Sequence, residues 1–123
     1  CLVVKRFVAP HKDTGKTFRG VASNYLCDLK VGDEVLLTGP AGRKFALPTP
    51  EEIHRPYIFI ATGTGIAPFR GFLQRLYKHT PHFNSPVYLL FGVKTEKELL
   101  YHDEFTEYKN PNFHYLKALS REM

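Results

Sequence analysis

The sequence predicts a β-rich portion followed by part of a doubly wound α/β parallel sheet, and three observations lead to this. From Tyr57 onward, apolar strand-like runs and stretches of helical spacing alternate as β-α-β-α-β. That order implies parallel strands joined by right-handed crossovers. Before it, β-prone runs alternate with glycine turns, and a proline-rich stretch at 48–56 separates the two textures.

The elements of the first portion are short. CLVVKRFV (1–8) has the composition of a strand, and turn signals follow at 13–15. Ser23 is a candidate N-cap for a helix with the sequence SNYLCDL. A second strand is predicted at 34–38, between two glycine turns, and a further one at 45–48.

The elements of the second portion are longer and more regular. Residues 57–61 form a predicted strand, and the helix PFRGFLQRLYKH opens on Pro68, where a missing N–H costs nothing. Its apolar residues fall at i, i+3, i+4 and i+7. VYLLFG is the next strand, EKELLYHDEFTEYKN a second helix with Thr95 as N-cap, and FHYLKAL a third strand.

Composition narrows the class of protein. Hydrophobic residues make up 43% of the 123, which is enough for a core, and no apolar run approaches the ~20 residues of a membrane-spanning helix. The net charge of +5 favours anionic partners, yet the basic residues are scattered, so nucleic acid is not the first choice. The chain starts at Cys1 rather than Met and ends just after a strand, so we expect a segment cut at both ends.

Cysteine and histidine give no sign of a metal site or of a disulfide framework. Cys1 and Cys27 are far apart, and the six histidines lack ligand spacing.

The turn after the first parallel strand predicts a phosphate site. Gly63 and Gly65 bracket Thr64, and the helix that follows directs its free N–H groups and positive dipole end at the turn. A diphosphate at 62–66 is therefore expected, although the pattern G-x-G-x-x-P lacks the last glycine of the dinucleotide fingerprint and the G-K-[ST] of an ATP loop. A tight turn in an α/β core is the alternative.

The ends of the other strands favour NADP over NAD. No acid follows VYLLFG until Glu96, whereas Ser120 and Arg121 follow FHYLKAL and can hold a 2′-phosphate. A solvated Arg–Glu pair is the alternative. A weaker second anion site is possible where Arg19–Asn24 runs into the short helix, although ordinary capping by Ser23 explains that pattern as well.

Six motifs occur together in one order: VVKR, GVASNYLCDL, GDEVLLTGPAG, ATGTGIAPFRGFL, LLFGVKTEKELLYHDEF and LSRE. This set resembles the ferredoxin–NADP(H) reductase family over essentially the whole chain. The resemblance implies an antiparallel FAD-binding β barrel, of which 1–50 are the last part. It also implies an NADP-binding doubly wound domain, of which 51–123 are the first half, so both domains are incomplete.

The resemblance also assigns site residues. FAD contacts fall on Val3, Val4, Val21, Ala22, Ser23 and Thr62. NADP contacts fall on Lys5, Thr62, Gly63, Thr64, Gly65, Val93, Lys94, Ser120 and Arg121. Ala9 departs from family members that place an aromatic there against the FAD adenine. No catalytic residue is assigned to this segment, and no metal is implied.

The implied function is electron transfer through FAD between NADP(H) and an acidic one-electron carrier, ferredoxin or flavodoxin, in the cytoplasm or a plastid. This segment alone is expected to be inactive. GTGIAPFRGFLQ also resembles the reductase modules of diflavin enzymes and multicomponent oxygenases, which is one alternative. A non-catalytic module that binds nucleotide or nucleic acid is another.

Overall fold

A computed structural model describes residues 2–122, which divide into two compact units, one ending at Gly42 and the other beginning at Arg43. Cys1, where the first predicted strand begins, lies outside the described residues. The break between the units comes eight residues before the predicted domain boundary at 50/51, and the assignment of the two domains stays a prediction.

The first unit contains a small antiparallel sheet and one short helix. Strand β1 (Val8–Pro10) pairs with β2 (Thr17–Arg19), with Val8 opposite Arg19, across a turn near the predicted one. Helix α1 (Val21–Cys27) begins after Gly20, so the prediction of Ser23 as N-cap was wrong. The Ser23 hydroxyl instead accepts a hydrogen bond from the Phe7 N–H at 3.1 Å.

Three predicted strands are shorter than expected or absent. Of the described residues 2–8, only Val8 belongs to a strand, and 34–38 and 45–48 are irregular. Leu36 and Leu37 are 99% and 83% exposed. Their side chains are therefore not buried against another element, and burial does not stabilise a strand at 34–38. A strand is stable only within a sheet. In the described residues 2–42, β1 and β2 form a sheet of two strands, and residues 34–38 do not join it.

The second unit is built on a three-stranded parallel sheet, as predicted. Its strands are β3 (Tyr57–Thr62), β4 (Val87–Val93) and β5 (Phe113–Leu119), in the spatial order β3-β4-β5. Tyr57 lies opposite Val87, and Val87 opposite Phe113, so the strands start in line.

The first crossover is the predicted helix. Strand β3 leads into a 3-10 turn (Gly63–Ile66) and then helix α2 (Ala67–Lys78), with Pro68 in its first turn. Its buried stripe of Phe69, Leu73 and Leu76 packs with Phe59, Leu89 and Phe91 of the sheet in the main core.

The second crossover is not the single helix predicted for 96–110. It forms a 3-10 turn (Glu96–Glu98), an extended Leu99, a left-handed Tyr101 with φ of 56°, and helix α3 (His102–Thr106). Leu99 and Phe105 are both buried. On one continuous helix, side chains six residues apart point about 120° away from each other. The break between the 3-10 turn and α3 therefore allows both Leu99 and Phe105 to reach the core.

The parallel sheet is covered on one face. Along β3 and β4, buried residues alternate with exposed ones. The second face of the sheet exposes five large apolar side chains: Ile58, Ile60, Tyr88, Leu90 and Leu116. Among residues 2–122, no helix is both long enough and apolar enough to cross a membrane.

Candidate functional site

The carboxyl ends of the three parallel strands bring separated parts of the sequence to one edge. Thr62 lies opposite Gly92, and Gly92 opposite Ala118. The segments that leave the strands at this edge are the glycine turn after Thr62, Lys94 and Ser120. In open α/β sheets, ligands bind outside this edge.

The glycine turn is shaped for close approach by a ligand. Thr62 is extended, and Gly63 has φ of +54°, in the left-handed region that disfavours side chains. A Cβ built on Gly63 or Gly65 meets no atom within 4 Å, so the space that a side chain would fill is open. A phosphate group can occupy that space and reach the backbone.

Helix α2 adds an electrostatic contribution to the turn. Its first turn contains no acidic residue that would offset the positive end of the helix dipole, whereas Arg75 and Lys78 lie in its last turn. The Ala67 N–H at its start already donates to the Thr64 carbonyl and Pro68 has no N–H, so the N–H groups suited to bind an anion are those of the turn before it, 63–65. Of residues 62–66, which the sequence predicted for this role, 62–65 are exposed, whereas Ile66 is fully buried and its side chain belongs to the core.

The predicted 2′-phosphate pair is joined to the end of β4 through the backbone. The Ser120 N–H donates to the Val93 carbonyl at 3.0 Å, and the Arg121 N–H to the Lys94 carbonyl at 2.9 Å. Lys94, Ser120 and Arg121 are exposed, so their polar groups are available to a ligand. Val93 is only 9% exposed and belongs to the core, so the structure does not present its side chain to a ligand at this edge.

The residues predicted to contact FAD lie in the first unit, with the exception of Thr62. Val3 and Val4 are half-buried in irregular backbone ahead of β1, and Lys5, which was predicted to contact NADP, follows them and is exposed. Val21 and Ala22 are exposed in the first turn of α1. The two segments meet through Phe7, whose carbonyl accepts from the Gly20 N–H at 2.9 Å and whose N–H donates to the Ser23 hydroxyl.

Asn24 organises this region, and the sequence analysis did not single it out. Its side-chain N–H₂ group donates to the carbonyls of Phe7 (3.0 Å) and Gly20 (2.6 Å). Its oxygen accepts from Arg6 (2.8 Å) and Arg19 (3.0 Å). At 8% exposure it is a buried polar residue of the described chain. Asparagine is a poor helix former because its side chain bonds nearby backbone groups. The place of Asn24 near the start of a predicted helix was therefore the signal in the sequence that could have identified it.

Arg6 links Asn24 to the end of α1. Its second guanidinium nitrogen bonds the Asp28 carboxylate at 2.7 Å. The hydrogen bond from Arg6 lowers the pKa of Asp28, because it stabilises the charged carboxylate.

A second cluster that the sequence analysis missed ties α2 to α3. Arg70 bonds the Glu104 carboxylate at 2.7 Å, and its guanidinium carbon lies 4.5 Å from the centre of the Tyr101 ring. Gln74 donates to the other Glu104 oxygen at 3.5 Å. The cluster holds the left-handed residue Tyr101 against the helix that follows the glycine turn.

The family model of the oxidoreductase NAD-binding domain matches residues 59–123, which contain β4, β5 and all of β3 except its first two residues. The chain belongs to this family. The predicted resemblance to ferredoxin–NADP(H) reductases is confirmed by the relatives that follow.

Curated relatives match nearly the whole chain. A root-type chloroplastic ferredoxin–NADP reductase of Nicotiana tabacum is 48% identical over 98% of the chain. The chloroplastic ferredoxin–NADP reductase of Spinacia oleracea is 45% identical over 98%. The chain covers 34% of each of these proteins, so it spans about a third of the length of its curated relatives.

Solved structures give the same result. The ferredoxin–NADP+ reductase of Plasmodium falciparum superposes with a TM-score of 0.77 at 28% identity, over 94% of this chain and 45% of that one. A variant of the same Plasmodium protein, solved with 2′P-AMP, superposes with a TM-score of 0.75 at 29% identity, over 92% of this chain and 47% of that one.

Proposed function

We propose that the protein containing this chain is a ferredoxin–NADP(+) reductase-type oxidoreductase that transfers electrons between NADP(H) and a one-electron carrier through FAD. The observation that carries the proposal is the carboxyl edge of the sheet. This edge of the parallel sheet carries the open glycine turn ahead of α2. It also carries the exposed pair Ser120–Arg121, whose backbone N–H groups donate to the carbonyls of Val93 and Lys94.

The NADP assignment follows from the chemistry of that edge. The backbone of 63–65 offers N–H donors for the diphosphate, the positive end of the α2 dipole favours an anion there, and the exposed Lys94 adds a positive charge. The Ser120 hydroxyl and the Arg121 guanidinium are the donor types that bind a 2′-phosphate through charge-assisted hydrogen bonds. A relative solved with 2′P-AMP supports this assignment.

The FAD assignment is based on the family resemblance and on the form of α1. Val21 is 85% exposed and Ala22 is exposed, so a diphosphate has access to the backbone there. Asn24 holds the turn at Gly20 to Phe7. When bound, FAD supplies the electronic chemistry, exchanging a hydride with nicotinamide and single electrons with a carrier, while the protein supplies position.

The carrier that we propose is a small acidic protein, ferredoxin or flavodoxin. The relatives are named for ferredoxin, and the net charge of +5 steers a negatively charged partner. The chloroplastic relatives lead us to propose a plastid location. The scattered basic residues leave nucleic acid out of the proposal.

The test uses the complete protein, reduced without oxygen by NADPH and separately by NADH, with bleaching of the oxidised flavin band as the signal. We expect fast bleaching by NADPH and slow bleaching by NADH. Arg121→Ala should lower the preference for NADPH roughly tenfold or more, the effect of one to two hydrogen bonds to a charged group.

Arg55→Ala is the matched control, because Arg55 is an exposed arginine just before β3, at the opposite edge of the sheet. It should leave the preference unchanged. Equal rates with both nucleotides would exclude the Ser120–Arg121 site while keeping a flavin reductase. A protein without flavin, or unreactive with both, would favour the non-catalytic binding module, and a fused iron–sulfur or flavodoxin-like segment would favour an oxygenase or diflavin module.

A further inference from the structure

Glu96 occupies a sensitive place beside the proposed nucleotide site. It lies two residues beyond Lys94, at the start of the 3-10 turn that follows β4, with 59% of its side chain exposed. In dinucleotide folds that use NAD, an acid accepts a hydrogen bond from the ribose 2′-OH, and Glu96 is the first acid after β4. A free carboxylate there would repel a 2′-phosphate.

The carboxylate of Glu96 is paired across the sheet edge. The Lys117 ammonium lies 3.5 Å from it. Lys117 is on β5, opposite Phe91, and the same strand leads four residues later to Arg121. Arg121 in turn bonds Lys94 through the backbone, so one connected piece of structure carries the acid, its partner and the proposed 2′-phosphate ligands.

The position of Glu96 is fixed independently of Lys117. A capping box pairs Thr95 with Glu98, and the Glu98 carboxylate accepts from the Thr95 N–H at 3.3 Å. The Leu99 N–H donates to the Glu96 carbonyl at 3.1 Å, and the Leu99 side chain is buried. Loss of Lys117 therefore leaves the Glu96 backbone, and with it a negative charge, at the same edge.

We propose that the Lys117–Glu96 pair sets nucleotide preference, because Lys117 offsets the charge of an acid that would otherwise disfavour the 2′-phosphate of NADP. The inference rests on the proposed function and deepens it. Lys117 is thus a specificity residue that acts through Glu96 and not by touching the phosphate.

The test is a double-mutant cycle in the complete protein, with Lys117→Met, Glu96→Gln and the double variant. Binding of NADP+ and of NAD+ is measured by calorimetry, separately from activity. For a solvent-exposed pair we expect Lys117→Met to weaken NADP+ binding about threefold to fivefold, with NAD+ binding unchanged or tighter. In the Glu96→Gln background, the same substitution should change NADP+ binding less than about twofold.

Two controls keep the result specific. Lys109→Met removes an exposed lysine from the loop before β5, at the opposite edge of the sheet, and should leave both affinities unchanged. High salt should shrink the effect of Lys117→Met, since exposed charges are screened within about 10 Å at 0.1 M.

An equal loss of NADP+ affinity in both backgrounds would overturn the inference, because Lys117 would then act as an independent cation. Unchanged affinity in every variant would also overturn it. If Arg121→Ala alters the preference while the Lys117 variants do not, this inference fails and the proposed function stands. If no variant binds NADP+, the proposed function itself fails.

Discussion

At Gly63 the proposed function depends on the absence of a side chain. We expect Gly63→Ala to cost about 1–2 kcal/mol of stability, because alanine is strained at φ of +54°. It should also weaken NADP+ binding at least about tenfold, since its methyl group enters the open space of the turn. Calorimetry with NADP+ and denaturant unfolding measure the two effects.

Gly71→Ala is the matched control for this substitution. Gly71 lies inside α2, and its added Cβ also meets nothing within 4 Å. Without a left-handed backbone, the change should stabilise the helix by about 0.5–1 kcal/mol and leave NADP+ binding unchanged. Equal losses of affinity in the two variants would contradict the role of the turn.

Asn24 gives a prediction about FAD. Asn24→Ala removes the partner of two carbonyls and two guanidinium groups, so we expect a loss of about 2–3 kcal/mol in the free energy of unfolding. The complete protein should also release flavin on gel filtration, because the turn at Gly20 loses its tie to Phe7. The exposed Asn84, changed to alanine, should do neither. Flavin retained at full stoichiometry in Asn24→Ala would disprove the positioning role.

Tyr77 gives a prediction about pH. Burial raises its pKa from 10 to about 12, and its buried hydroxyl has no hydrogen-bond partner among the residues that the structure describes. A raised folded-state pKa means that the stabilisation is complete below about pH 10 and is lost as pH rises toward about 12. Tyr77→Phe should flatten this alkaline decline, as followed by unfolding and tyrosinate absorbance. A titration of Tyr77 near pH 10 would refute the assignment.

At the scale of elements, helix α2 and the parallel strands could be predicted because their signals are local and agree with packing. The predicted helix, 68–79, differs by one residue at each end from Ala67–Lys78. FHYLKAL coincides with β5. Apolar spacing predicted burial here because each of these elements buries one face, and the local pattern is enough to show which face that is.

Other elements depend on contacts that no local pattern encodes. The helical spacing of 96–110 does not reveal that Leu99 and Phe105 must both reach one core, which breaks the helix at Tyr101. Ser23 has the composition of an N-cap, but Phe7, sixteen residues away, engages its hydroxyl. The strand ends of the candidate site could be predicted because the strands themselves have local signals. The roles of Asn24, Arg70 and the Lys117–Glu96 pair depend on contacts between distant residues, so they required the structure.

The tie between α2 and α3 should be measurable as a coupling energy. Arg70 and Glu104 are each about a quarter exposed, so a double-mutant cycle with Arg70→Met and Glu104→Gln should give about 1 kcal/mol or slightly more. The exposed pair Arg55–Glu52, with 3.5 Å between its charged atoms, should give close to zero in the same unfolding assay. Coupling no larger than in the control pair would mean that the contact contributes little.

At the scale of the whole molecule, the one-sided sheet predicts the behaviour of the 123-residue chain on its own. Ile58 and Ile60 are each 68% exposed, next to Leu90 and Leu116 on the same face. Such a patch binds apolar dyes and favours self-association. Replacing Ile58 and Ile60 together by lysine should reduce dye fluorescence and shift the chain toward monomer in sedimentation. The same change at the exposed residues Val35 and Leu36 is the control. It should have a smaller effect on dye fluorescence and on self-association, because these residues lie outside the sheet. Equal reductions of dye fluorescence and of self-association in the two variants would exclude the sheet face as the surface that binds the dye and self-associates.

The two backbone hydrogen bonds from Ser120 and Arg121 to the end of β4 have a thermodynamic meaning for binding. Fixing one residue of a free loop costs about 1–2 kcal/mol of conformational entropy. In this chain, the segments at Lys94 and Arg121 lose that freedom when the sheet forms, before any nucleotide arrives. A ligand that contacts both segments therefore meets a backbone that is already ordered, and its entropic penalty comes from ordering the exposed Lys94 and Arg121 side chains.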